Sequence, residues 1–292
     1  MGLGRLGTTV PFYERGNQMA VEREEWHNAS TGYQNLAHLN VSLGRLAAGA
    51  AAAGRALELA RRSANKRNEC EALACQGWAA HLRGETAAAA TAFREAEALG
   101  REVDGSRQYL YTGRGIRHAA HLRRAGEAAY ARRVTVANLE ICERNRWTYY
   151  ISMCRRVLGE LDAAAGSQES ARDHFDAALI LARGISVRDV LIEALLARGR
   201  WAARSDLAGF QNLPGLRLPQ AFSDLREALG YATDGGYRIY EADIRVSLGW
   251  AQRAAGDPAA ARQEATRAQT MSREMGYHWG QVDAADLLAA LD

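Results

Sequence analysis

Residues 158–178 read LGELDAAAGSQESARDHFDAA, and this stretch decides the fold. Counting from Gly159, a second glycine follows at offset 7 (Gly166), alanine at 12 (Ala171), phenylalanine at 16 (Phe175) and alanine at 19 (Ala178). The same offsets recur from Gly249 as Gly256, Ala261, Ala265 and Ala268, and from Gly77 as Gly84, Ala89, Phe93 and Ala96. A weaker copy runs through Ala119, Gly126 and Ala131, with Thr135 in the large-residue slot. Leu43-Gly44 opens another, whose second half (Ala56, Leu57, Leu59, Ala60) is slightly compressed. Each slot has a physical reason. The first glycine or alanine lets a neighbouring helix approach closely, and the second glycine closes that helix in a left-handed cap. The alanines and the large residue then form one stripe of a second helix. Such a pair cannot bury its apolar faces alone, so copies must stack. Val187, Val190, Leu191, Ala194 and Leu195 follow a helical period, and no stretch alternates as a strand does. The expectation is all-α.

Composition narrows the function classes. The chain has 292 residues, 48% of them hydrophobic and 24% charged, enough apolar surface to offset the entropy of ordering. Four cysteines exclude a disulfide scaffold, and the longest run of small residues, Ala47 to Ala53, is far too short to cross a bilayer. The N-terminus is glycine-rich and polar, unlike a secretory signal, so a cytoplasmic protein without membrane contact is expected. The net charge is +3, and Lys66 is the only lysine, so arginine supplies the positive charge without a block of five or more. Nucleic-acid binding is not indicated.

The spaced small and large residues resemble the tetratricopeptide repeat. That resemblance implies a right-handed α-solenoid of six to seven antiparallel helix pairs, with the last helix, near 278–291, as a cap. The copies would be a single array at about 1–34, 35–68, 69–106, 107–147, 148–186, 187–235 and 236–276. In the sixth, helices are expected near Arg188–Ala203 and Ala221–Ala232, around a loop at 206–220 carrying Pro214 and Pro219. Leu6-Gly7 lies 37 residues before Leu43-Gly44, so the chain is expected to begin inside or at the edge of another copy, with Tyr13 to Trp26 as its second helix. Copies near 40 residues, with Gly276-Tyr277-His278 after the last, resemble the C-terminal repeat sensors of STAND-type signalling ATPases. This second resemblance implies upstream effector and ATPase domains in the same chain.

Gly2-Leu3-Gly4-Arg5-Leu6-Gly7 is a literal G-x-G-x-x-G, but a dinucleotide site needs a strand before it and none is readable. His118 and His121 share a helix face yet lack the third ligand a metal needs. Cys70 and Cys75, with His81 nearby, stand five apart and point different ways, so they read as inert thiols. In Asp173-His174-Phe175-Asp176 the repeat turns Phe175 inward and the charges outward. No nucleophile, base and orienter assemble, so neither catalysis, cofactor nor metal is expected.

What remains is the concave face lined by the first helix of each copy. Projection through the small-residue slots places His38, Arg45, Trp78, His81, Ile116, Arg117, Arg123, Arg156, Glu160, Trp250 and Arg253 there. Arginine and tryptophan dominate interface hot spots, so the expected ligand is a protein or peptide, acidic or aromatic-bearing. The alternative is that the indoles pack between copies and the arginines are solvated. Trp147, Tyr149 and Tyr150 form a second candidate patch at a turn. Besides a sensor region, a stand-alone scaffold and the small-molecule sensor of a transcriptional regulator fit the same repeats.

Overall fold

A computed structural model describes residues 6–204 and 217–292. Most of the glycine motif at Gly2–Gly7 and most of the expected loop at 206–220 lie outside the described residues. After a 3-10 turn at Leu6–Thr9 come α1 (Val10–Glu22), α2 (Trp26–Ser42), α3 (Leu46–Arg62), α4 (Lys66–Leu82), α5 (Thr86–Val103), α6 (Thr112–Arg124) and α7 (Ala128–Arg144). Then follow α8 (Thr148–Ala164), α9 (Gln168–Ile185), α10 (Arg188–Ala203), α11 (Arg217–Gly235), α12 (Arg238–Ala254), α13 (Pro258–Met275) and α14 (His278–Ala289). Among the described residues every regular element is helical, as expected for an all-α chain.

The turns keep time. Left-handed backbone recurs at residues 24, 44, 64 and 84, at 126, 146, 166 and 186, and at 236, 256 and 276, a step of 20 residues within each run; Thr112, at the start of α6, takes it outside that step. Turns inside a pair use glycine: Gly44, Gly84, Gly126, Gly166 and Gly256, with φ between +73° and +84°. They are Schellman caps; Gly84 N–H donates to His81 C=O at 3.0 Å and Glu85 N–H to Ala80 C=O at 3.0 Å. Several turns between pairs use other residues, Glu24, Ala64, Arg146 and Ser186, at φ +54° to +57° apart from Ala64 at +50°. Gly44 therefore holds the closing-turn slot of Gly84, Gly166 and Gly256, not the helix-packing slot of Gly77. The first complete pair is α2–α3, whose small packing residue is Ala37, 1% exposed.

Two other boundaries differ from expectation. The α10 span is the expected one, but α11 begins at Arg217, with Pro219 tolerated in the first turn where its missing N–H has no helical partner. At the N-terminal end, α1 stops at Glu22, ahead of Trp26, which opens α2.

The chain forms two compact units: Met1–Val134 with Gly235–Tyr237 and Met275–Tyr277, and Thr135–Asp234 with Arg238–Glu274 and His278–Asp292. In the first, α2 packs on α3, α4 on α5, and first-position helices touch their neighbours of the same kind, α2 on α4 and α4 on α6. In the second, α8 packs on α9, and α10 touches α8 and α12, which touches α14. The first-position helices thus form an inner row in each unit. Close approach rests on the glycine slots. A Cβ on Gly77 would meet the Phe93 ring at 3.1 Å, one on Gly159 the Phe175 ring at 2.7 Å, and one on Gly199 the Leu225 side chain at 2.7 Å. Opposite Gly249 the second-helix slot holds only Ala265, and Leu287 of α14 fills the space, 2.5 Å from such a Cβ.

These contacts separate two kinds of helical glycine. Gly159→Ala overpacks a buried ring and is expected to cost about 1–3 kcal/mol. Gly54→Ala, in α3 with nothing within 4 Å of the added Cβ, is expected to stabilise by about 0.5–1 kcal/mol through helix propensity. Urea unfolding midpoints of the two variants check both signs.

Candidate functional site

In the first unit the inner row is a chain of aromatic, imidazole and guanidinium groups. Arg117 on α6 donates from Nη1 to His38 Nε2 on α2 at 2.9 Å. Guanidinium can only donate, so Nε2 accepts and the His38 proton sits on Nδ1, which faces Cys75 Sγ at 3.9 Å. Burial, then the Arg117 charge, holds His38 well below the usual histidine range. Trp78 stacks near His81 (5.1 Å between centroids), and His81 Nδ1 lies 3.4 Å from His121 Nδ1. His118 stacks on Phe93 at 5.0 Å, meets the Tyr130 ring edge-on at 5.8 Å, and has Nδ1 3.8 Å from Glu97 Oε1. Tyr130 hydroxyl donates to the other Glu97 oxygen at 2.5 Å.

The expected site residues of this unit divide by burial. Trp78, His38, Arg117 and Arg123 are half-buried, as a binding row requires. Ile116 and His81 are not on a surface: they are 3% and 4% exposed, because the row of α4 and α6 closes over them. Arg45 is exposed but sits in the α2–α3 turn after Gly44, not on a helix face. Among the described residues no group of three or more histidine, cysteine, aspartate or glutamate side chains is placed to hold a metal. The thiols are poor nucleophiles: burial pushes Cys75 up to about 11 and raises Cys70, whose Sγ–H donates to Ala96 C=O at 3.2 Å.

In the second unit Arg156 on α8 pairs with Glu160 (2.8 Å) and with Glu193 of α10 (3.1 Å). Tyr240 on α12 donates to Glu193 at 2.5 Å, and Tyr149 donates to Asp189 at 2.9 Å. Burial raises the Glu193 carboxyl and, with its carboxylate neighbours, the Tyr240 phenol. Arg156 is outnumbered by carboxylates and offers no free positive charge to a ligand. Positive charge gathers instead at Trp250, whose ring lies 4.4 Å from the Arg204 guanidinium and 5.3 Å from that of Arg253. Trp250 also packs beside Val246, Ala268 and Ala284, so it is both core and rim. Arg204 was missed in the sequence because it lies one residue past the end of α10, beyond any helical projection.

The two secondary motifs resolve simply. Phe175 is 2% exposed, while Asp176 pairs with Arg198 at 2.8 Å and His174 approaches Asp162 at 3.6 Å. Trp147 is 38% exposed beside Tyr150 (6.4 Å), and Tyr150 meets Tyr149 at 5.0 Å.

The buried imidazoles make acid the weak point. His118 is pushed down from 6.5 to about 4 by burial and by His121, and His38 and His121 are lowered too. All three are neutral when folded, whereas the unfolded chain takes up protons near 6.5. Their contribution is therefore complete above about pH 6.5 and is lost as pH falls towards 4. His118→Gln should remove about 3 kcal/mol of that loss across the window. Urea unfolding at pH 7, 5.5 and 4 measures it; an unchanged pH slope in the variant would refute the assignment.

Compared by sequence, the chain matches no family model and no curated protein. Solved structures do resemble it. A chain of the APC/C hetero-tetramer Cut9-Hcn1 superposes with TM-score 0.62 at 12% identity, over 98% of this chain and 48% of that one. The Rap protein complexed with Competence and Sporulation Factor gives 0.62 at 11% identity, over 97% of this chain and 81% of that one. A tetratricopeptide repeat protein from Parabacteroides merdae gives 0.51 at 13% identity, covering 97% and 99%. This chain thus spans about half the length of the Cut9-Hcn1 chain it matches. At these identities the likeness is one of fold, and the fold is that of the tetratricopeptide repeat.

Proposed function

We propose that the chain is a non-catalytic interaction module that binds a protein or peptide on its inner rows of helices. The observation that carries this reading is the contrast between the two helix types. The second-position helices α3, α5, α9, α11 and α13 meet their partners through fully buried stripes of alanine, with a phenylalanine in α5 and α9 and a leucine in α11. First-position helices present Arg117, Arg123, Trp78 and Trp250 half-buried, with Arg204 just past the end of α10, and Arg117 is held on His38 and Arg204 over Trp250. Pre-ordered arginine and aromatic groups lose little entropy on binding and suit hot spots. The positive surroundings of Trp250 favour a ligand segment with a carboxylate beside an aromatic or aliphatic anchor. That a Rap protein of this fold is complexed with a factor adds support.

The finer reading is a sensor region of a STAND-type signalling ATPase. It rests on the sequence resemblance and is supported by the 40-residue spacing of successive glycine turns at 44 and 84, and at 126 and 166. A small-molecule sensor would need an enclosed pocket. The recess between α4, the α5–α6 connection and α6, lined by Arg67, Arg107, Tyr111 and Arg114, holds only about 30 Å³, room for a water.

The test is capture from lysate of the source cell on the immobilised chain, with Arg123→Glu/Arg253→Glu as control. A retained protein whose Kd rises at least about tenfold in the control, ~1.4 kcal/mol, supports the reading. Equal retention by both forms, or none by either, refutes it.

A further inference from the structure

Three residues connect α3 to α4 and α7 to α8, yet the connection from α5 to α6 takes eight, Asp104–Tyr111. Stacking does not require the extra length, since the three-residue turns join pairs of the same kind. The longer connection is pinned in place. Asp104 accepts from the Ser106 N–H at 3.2 Å and the Ser106 hydroxyl at 2.6 Å, and Arg107 Nε lies 2.7 Å from its carboxylate. Arg101 Nη1 donates to Gln108 C=O at 3.3 Å. The connection delivers the chain into α6 through Thr112 at φ +56°, a left-handed conformation that a β-branched residue adopts only under strain.

What the extra chain builds is one wall of the recess of about 30 Å³. Three guanidinium groups line it from three different elements: Arg67 from the start of α4, Arg107 from the connection and Arg114 from the first turn of α6. Asp104 is the one carboxylate in the lining. Arg107 and Arg114 lie 3.8 and 4.7 Å from the Tyr111 ring, whose π face holds two like charges close together. Their partners are incomplete. Arg107 Nη1 is buried without a hydrogen-bond partner, and Arg67 is exposed with no carboxylate against it. Arg114 reaches the half-exposed Glu71 only at 3.6 Å. Tyr111 gives α6 no side-chain cap, so the positive end of that helix adds to the same field.

We propose that this recess binds a phosphate group, either free phosphate or the terminal group of a phosphomonoester, at a site that shares none of the half-buried inner-row residues. Three like charges around a water-sized space repel one another, and a single aspartate does not cancel them. A bound anion does, and its oxygens supply the partner that Arg107 Nη1 lacks. Guanidinium groups arriving from three directions suit a tetrahedral anion, whereas a planar carboxylate is matched by one guanidinium alone. The volume admits the oxygens of the anion but not the body of a metabolite, so the rest of an ester stays outside. Arg67 is the clearest mark of the site, because no ion pair within the fold accounts for it.

Calorimetric titration of the full chain with inorganic phosphate, phenyl phosphate and acetate at low salt tests this. Phosphate should bind saturably, and Arg107→Gln and Arg67→Gln should each raise its Kd about tenfold. Arg94→Gln, an exposed change in α5 outside the recess, should leave the Kd unchanged. Phosphate should also raise the thermal unfolding midpoint of the wild type more than that of either recess variant. If Arg107→Gln fails to fold, Arg67→Gln decides, since its side chain is exposed and supports no ion pair. Tighter binding of phenyl phosphate than of phosphate supports the site and assigns it an ester; equal or weaker binding supports it and assigns it free phosphate. Acetate binding as tightly as phosphate, equal loss in Arg94→Gln, or no saturable binding of either phosphate at millimolar concentration overturns the proposal.

Discussion

Everything in this fold depends on how near two antiparallel helices can come. Where Gly77, Gly159 and Gly199 sit over Phe93, Phe175 and Leu225, no side chain larger than hydrogen fits without displacing a fully buried ring or isobutyl group. That contact sets the register of the pair, and the Schellman turn that follows delivers the second helix into it. Alanines above and below the large residue remove every other obstacle. A chain with 58 alanines then holds its helices by close backbone approach and dispersion over many small contacts, with few large apolar side chains.

The sequence revealed this axis because the physics is local. Glycine at the turn and glycine under phenylalanine have fixed offsets, and those offsets predicted the α8–α9 pair and placed Phe175 in the core. Glycine does two jobs in the repeat, and Gly44 is a turn residue that looks like a packing residue in the sequence, since leucine precedes both Gly44 and Gly159. Glu24, Ala64, Arg146 and Ser186 take left-handed backbone without glycine and leave no compositional trace in the sequence. Conformations of this kind cost about 1–2 kcal/mol each and persist because the helices on either side are fixed by their own packing.

The inner rows were the least legible part, and the reason is geometric. A projection along one helix says which way Ile116 or His81 points, not whether the neighbouring helix covers it. The partners are remote: Arg117 finds His38 across 79 residues, and Arg156 finds Glu193 across 37. Such contacts set the electrostatics. In the first unit they hold His38 and His118 uncharged, and in the second they neutralise Arg156 with Glu160 and Glu193 and set the Arg204 and Arg253 guanidinium groups beside Trp250. Half-buried pairs of this sort contribute little to stability beyond what they lose in desolvation, so their value lies in ordering side chains ahead of a partner.

The 20-residue beat of the turns carries a consequence for how such a chain can change. With 3.6 residues per helical turn, losing one residue inside a helix rotates everything after it by about 100° and points the alanine stripe at solvent. Small insertions and deletions are therefore confined to the two places where the beat already breaks, between residues 84 and 126 and between 186 and 236. A block of 40 residues, by contrast, restores both the rotation and the turn. Growth by whole duplicated pairs leaves every existing contact intact, so length in this architecture is quantised, and heredity can add or remove it only in complete steps.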